Sequence, residues 1–347
     1  MKRTAVVVAP GRGTYNKAEL GYLARHHARH RDLIAEFDAY RLSQNQPAIS
    51  ALDGAERFSA LTHTRGDHAS PLIYSCAYAD FLAIDREQFD VVAVTGNSMG
   101  WYIALACAGA LDAFGGLQVV NTMGTLMQEK LIGGQLIYSF VDDEWREIPG
   151  LRESILTKMA DIDARKDHDL RLSIDLGGMI VLGGNDTGLK AFETEMPKQE
   201  RFPLRLQNHA AFHTALQEPV AAIGRERLAQ SLFKQPRYPL IDGRGGVWLP
   251  KASDLPALWS YTLDHQVVRP YDFTAAIRTA ANEFMPDVFI VLGPGTTLGG
   301  AIAQSLVRAG WRGMRSKEEF QREQSQTHRM LALGMDQQRH LVQAADT

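Results

Sequence analysis

Three short apolar runs, each stopped by a glycine turn, constrain this chain more than any other feature. They are TAVVVAP (4–10), which ends at Pro10–Gly11, FDVVAVTG (89–96) and DVFIVLGPG (287–295). Continuous β-branched runs of this length suit strands buried on both faces, as in parallel sheets covered by helices. Helical sequence follows each of them. KAELGYLARHHARHRDLIAEFDAYR (17–41) offers Leu20, Leu23, Leu33 and Ile34 for a buried face, MGWYIALACAGAL (99–111) is built of small residues, and TLGGAIAQSLVRAG (297–310) closes the series. SPLIYSCAYADFLAI (70–84) reads as a buried helix with proline near its first turn. Strand, glycine turn and helix in repetition predict an α/β fold with a mainly parallel sheet.

The middle of the chain has another texture. QLIYSFV (135–141), a polar helix over about 143–165, LRLSIDL (170–176), MIVLGG (179–184), a helix near 187–196 and FPLRLQ (202–207) read as β-α-β-β-α-β. That order is the ferredoxin-like motif. It predicts a small subdomain, 132–206, inserted into a discontinuous large α/β domain made of 1–131 and 207–310. The remainder, 311–347, is polar and glutamine-rich and reads as a helical surface tail without chemistry.

With 45% hydrophobic residues, 22% charged residues and a formal charge of −3, the chain has the make-up of a soluble globular protein. Nothing in that balance draws it to nucleic acid or an anionic membrane. The N-terminal apolar run is shorter than the roughly 7–15 residues of a signal sequence, and no stretch reaches the roughly 18 of a membrane span. Cys76 and Cys107 stand alone, without metal or redox spacing. A cytoplasmic protein without a bound metal is the expectation.

Ser98 lies in GNSMG (96–100), a G-x-S-x-G pattern between a strand and a helix. Glycines at both ends allow a sharp turn that exposes the hydroxyl, and the helix that follows aims backbone N–H groups at a reacting oxygen. A nucleophilic serine also needs a base. Of eleven histidines, His26, His27 and His30 in RHHARHR read as a solvated face. His63 and His68 fall in a polar stretch, His168 in a charged turn, and His328 and His340 in the tail. His209, His213 and His265 remain, and composition does not choose among them.

Six segments in order resemble the malonyl-CoA:acyl carrier protein transacylases and the acyltransferase domains of polyketide synthases. They are VVVAPGRGT (6–14), GNSMGWYIALACAGAL (96–111), GTLMQEK (124–130), AAFH (210–213), QVVRPYDF (266–273) and VLGPGTTLGG (291–300). The resemblance implies a hydrolase-like α/β domain with an inserted ferredoxin-like subdomain. It also implies Ser98 as acyl-carrying nucleophile, His213 as general base, the Gln266 carbonyl as its orienting group, and the backbone N–H groups of Met99 and Arg12 as oxyanion donors. The substrate would be a coenzyme A thioester, the partner an acyl carrier protein with its phosphopantetheine arm, and no cofactor would be bound. Arg308, Arg312, Arg315 and Lys317 would offer that partner a basic rim.

The pattern departs from the family at three places. Asn97 stands where histidine is usual, Arg12 where glutamine is usual, and Met123 where an arginine would bind the malonyl carboxylate. Methionine offers apolar surface, so either the acyl group is acetyl or another simple acyl, or another cation meets the carboxylate, with Arg12 as candidate. Phe212 beside the base would exclude α-methyl branches. An acyl-thioester hydrolase using the same Ser98–His213 pair is the alternative. An α/β-hydrolase esterase with an acidic third member, a scaffold without chemistry and a nucleotide-binding protein fit the segments less well.

Overall fold

The computed structural model describes residues 1–344. Arg3–Ala9 (β1), Phe89–Gly96 (β2), Val288–Val291 (β10) and Met330–Ala332 (β11) run parallel, with Leu240–Ile241 (β7) parallel to β2 and Val247–Trp248 (β8) antiparallel to β7. The spatial order is β11-β10-β1-β2-β7-β8. From Ala5 to Ala9 every residue of β1 is buried, as expected of a central strand with helices on both faces.

The second sheet is formed by Gly134–Ser139 (β3), Leu170–Leu176 (β4), Met179–Gly184 (β5) and Leu204–Leu206 (β6), with Tyr271–Asp272 (β9) added at its edge. Its order is β6-β3-β5-β4-β9. Each hydrogen-bonded pair among the first four strands is antiparallel, and with the helices Leu151–Asp163 and Asp186–Glu195 they form the ferredoxin-like arrangement. The two-residue period decides the packing. Leu136, Tyr138, Ile180 and Leu182 point into a small core with Ile155, Ile162, Leu189 and Phe192. Their neighbours Ile137, Ile174, Met179 and Val181 face the other way, into a groove that reaches Ser98.

Three segments differ from expectation. The C-terminal stretch does begin as a polar helix, Lys317–Thr327, but the chain then adds β11 to the main sheet and buries Leu333 and Val342. It is held by charge: Arg339 Nη1 donates to Asp80 at 2.7 Å, and Asp80 is wholly buried. The RHHARHR segment is not simply solvated either. His27 is buried, with Nε2 at 2.8 Å from the same Asp80, which also accepts from Tyr22 Oη and Gly293 N, each at 2.7 Å. His63 is likewise buried, on the short helix Ala60–His63. Among the described residues no helix is long and apolar enough to cross a membrane.

Candidate active site

β2 ends at Gly96 and the helix Gly100–Cys107 begins four residues later, so the turn between them has almost no room. A Cβ on Gly96 would fall on the carbonyl of Gly100, and one on Gly100 would fall on the carbonyl of Ala9. Both positions therefore need glycine. Ser98, at the tip, has φ of 56°, the left-handed region that costs an L-residue strain. Gly11 lets the loop after β1 lie against the turn, because a side chain there would meet the carbonyl of Asn97. That contact brings Arg12 beside Ser98.

Ser98 Oγ lies 2.7 Å from His213 Nε2. His213 Nδ1 lies 2.6 Å from the backbone carbonyl of Gln266. A carbonyl can only accept, so the proton sits on Nδ1 and Nε2 presents its lone pair to the serine hydroxyl. His213 also has a left-handed backbone, φ of 58°, and its N–H donates to Val267 O at 3.0 Å. Burial holds its imidazole well below the usual range, at about 4, opposed only in part by the Gln266 carbonyl. His213 is thus neutral at neutral pH.

Gln266 follows a π-helical turn, Tyr261–His265, of the kind often found at functional sites. Its side chain donates from Nε2 to Ser98 O at 3.1 Å, while Oε1 accepts from Tyr102 Oη at 3.0 Å. The sequence reading assigned Gln266 only its carbonyl and missed Tyr102, which the first turn of the helix Gly100–Cys107 carries towards Gln266. No hydrogen bond within the described residues engages the amides of Met99 and Arg12.

Arg12, Ser98, Met99, Met123, Phe212, His213 and Gln266 line one pocket, completed by Ser70, Tyr102, Val120, Gly124, Met127 and Val267. Asn97, expected in this pocket, instead lines the outer groove, because the turn rotates its side chain to the other side of Ser98. Burial keeps the Arg12 guanidinium at about 10, below its ordinary value, and Asp67 opposes that shift. His209 meets Gln135 Oε1 at 2.8 Å, and His265 stacks on Tyr261; neither is bonded to Ser98. The expected basic rim is not at this mouth. None of Arg308, Arg312, Arg315 and Lys317 lines the pocket or its groove, and Arg308 is bonded to Glu147 at 2.8 Å. Among the described residues no cluster of three or more His, Cys, Asp or Glu could hold a metal ion.

Sheet and site together define an α/β protein of the hydrolase-like type whose elbow serine faces a histidine. Comparison with known proteins narrows that class. The chain is 27% identical over 246 residues to the phenolphthiocerol synthesis polyketide synthase type I of Mycobacterium marinum, across 70% of this chain and 11% of that protein. It is 23% identical over 301 residues to the malonyl CoA-acyl carrier protein transacylase of Salmonella typhimurium, across 84% of this chain and 90% of that one. In structure it is similar to the malonyl-CoA:acyl carrier protein transacylase of Xanthomonas oryzae, with a TM-score of 0.75 over 98% of both chains at 19% identity. No protein-family model matches. The chain spans 9% to 15% of the synthases it matches, and most of the transacylase from Salmonella. The resemblance found in its motifs is the one these proteins share.

Proposed function

We propose that this protein is an acyltransferase that carries an acyl group on Ser98 between a coenzyme A thioester and the phosphopantetheine thiol of an acyl carrier protein. The observation that supports it best is the Ser98 Oγ–His213 Nε2 contact of 2.7 Å, with Nδ1 tied to a carbonyl. Ser98 Oγ attacks the thioester carbon while its proton passes to His213 Nε2. The oxygen that gains charge is met by the N–H groups of Met99 and Arg12. The C–S bond then breaks and the coenzyme A sulfur leaves with the proton from His213, giving a Ser98 ester. In the second half the carrier thiol gives its proton to His213, its sulfur attacks the ester, and Ser98 Oγ recovers the proton as it leaves.

Passing the acyl group to water would make the same pair a hydrolase. The apolar walls of the pocket, Val120, Met123, Met127, Phe212 and Val267, favour transfer because they offer attacking water few partners. Incubation with acyl-CoA should leave one acyl mass on Ser98, and none on Ser98→Ala. Release of that acyl group should need a carrier protein; fast release to water without one would replace transfer by hydrolysis.

A further inference from the structure

The pocket at Ser98 is apolar on most sides, and one full charge enters it. Arg12 Nη2 donates to Thr64 O at 2.8 Å and to Asn208 O at 3.0 Å. Nε is buried without a partner, and Nη1, which lies beside Gly66 at the pocket side, makes no hydrogen bond to the described residues. No carboxylate among those residues pairs with it. Asp67, which acts on it through space, is itself bridged by Arg65 at 2.9 Å. The side chain is half-buried, and a guanidinium with one enclosed donor unpartnered and another left over suits an anion that completes it. The Phe212 ring lies against the guanidinium, its centroid 5.4 Å from Cζ, and adds a cation–π contact.

The position of Arg12 narrows the choice of anion. Its amide is one of the two donors placed at the acyl carbonyl, while its side chain borders the space that an acyl group on Ser98 would fill. That space, a tight cavity of about 20 Å³ closed by Met123, Met127 and Val120, admits a short chain only. Resting on the acyl-enzyme reading above, we propose that Arg12 is the specificity-determining residue and receives the terminal carboxylate of a short dicarboxylic acyl group. The N-terminal loop thereby supplies the charge that the helix Ala113–Lys130 lacks at Met123. One residue reads both ends of the acyl group, its amide the carbonyl and its guanidinium the acid.

Brief mixing with equimolar malonyl-CoA and acetyl-CoA, followed by intact-protein mass spectrometry, reads both acyl groups on Ser98 in one sample. The wild type is expected to carry mainly the malonyl adduct. In Arg12→Met the malonyl-to-acetyl ratio should fall about 10- to 100-fold, as for a charged hydrogen bond lost in a buried site. Arg12→Met/Met123→Arg should recover much of that ratio by returning a cation from the helix wall. Partial unfolding does not alter a ratio measured within one sample. Arg12→Lys, which keeps the charge but loses the fork, should fall between the two and serves if Arg12→Met does not fold. A wild type that takes acetyl as readily as malonyl, or an unchanged ratio in the Arg12 variants, overturns the assignment. Absence of any adduct on Ser98, in the wild type as well, overturns the acyl-enzyme reading and this assignment with it.

Discussion

Gln266 serves the Ser–His pair with two parts of itself. Its carbonyl fixes the tautomer of His213, and its side chain bridges Ser98 O and the Tyr102 hydroxyl. Gln266→Ala keeps the first contact and removes the second. The elbow then loses a tether, so kcat for acyl transfer should fall about 10- to 100-fold while KM for the thioester holds, in steady-state assays. His213 sets the pH profile. A base must be neutral to accept a proton, and burial keeps this one neutral down to about 4. The single-turnover rate of acylation should therefore stay level from pH 8 to about 5 and fall only as pH approaches 4; a fall centred near 6.5 would show an ordinary, solvated histidine. Ser98 was legible because its glycines are local. Choosing His213 over His209 and His265 was not possible from composition, since the contact spans 115 positions of chain.

The elbow, as an element, tolerates nothing larger than glycine at positions 96 and 100. Gly100→Ala would drive a methyl into the Ala9 carbonyl of the neighbouring strand, and backbone cannot move aside as a side chain can. A loss of about 3 kcal/mol or more is expected, measured by chemical denaturation, together with loss of acylation. The strands β3, β4 and β5 of the ferredoxin-like sheet were readable because each runs six or seven residues of largely apolar sequence. β9 and β11, of two and three residues, left no such trace. Sheet edges this short are made by neighbours, not by propensity. The displacement of Asn97 from the pocket to the groove has the same origin: a turn with one residue in the left-handed region sends adjacent side chains to opposite sides.

Across the whole molecule, the buried Asp80 joins residues far apart in sequence, Tyr22, His27, Gly293 and Arg339. No local pattern announces such a centre, which is why the tail read as surface. Arg339→Met would leave a buried carboxylate short of its cation and should cost about 3–5 kcal/mol in thermal or denaturant unfolding. Stability should also follow pH through the buried imidazoles. His209 and His213 sit at about 3 and about 4 in the native protein, against about 6.5 when unfolded. Between pH 6.5 and 4 the unfolded chain takes up protons that the native one refuses, so stability falls as pH falls through that window and levels above it. Thermal melts at pH 7, 5.5 and 4.5 would show this, with a shallower slope for His213→Gln. The bridge at β9 has a consequence of its own. Tyr271 and Asp272 pair with Ile174 and Asp175 of the small sheet, five residues beyond Gln266, while Tyr271 Oη donates to Gly96 O at 2.5 Å and Ser173 Oγ donates to Phe212 O at 2.8 Å. The small sheet is thus sewn to the serine turn and to the histidine's own strand of chain. It cannot swing as a free lid: any hinge motion that widens the groove for an incoming thioester would pull on the pair that is to cleave it.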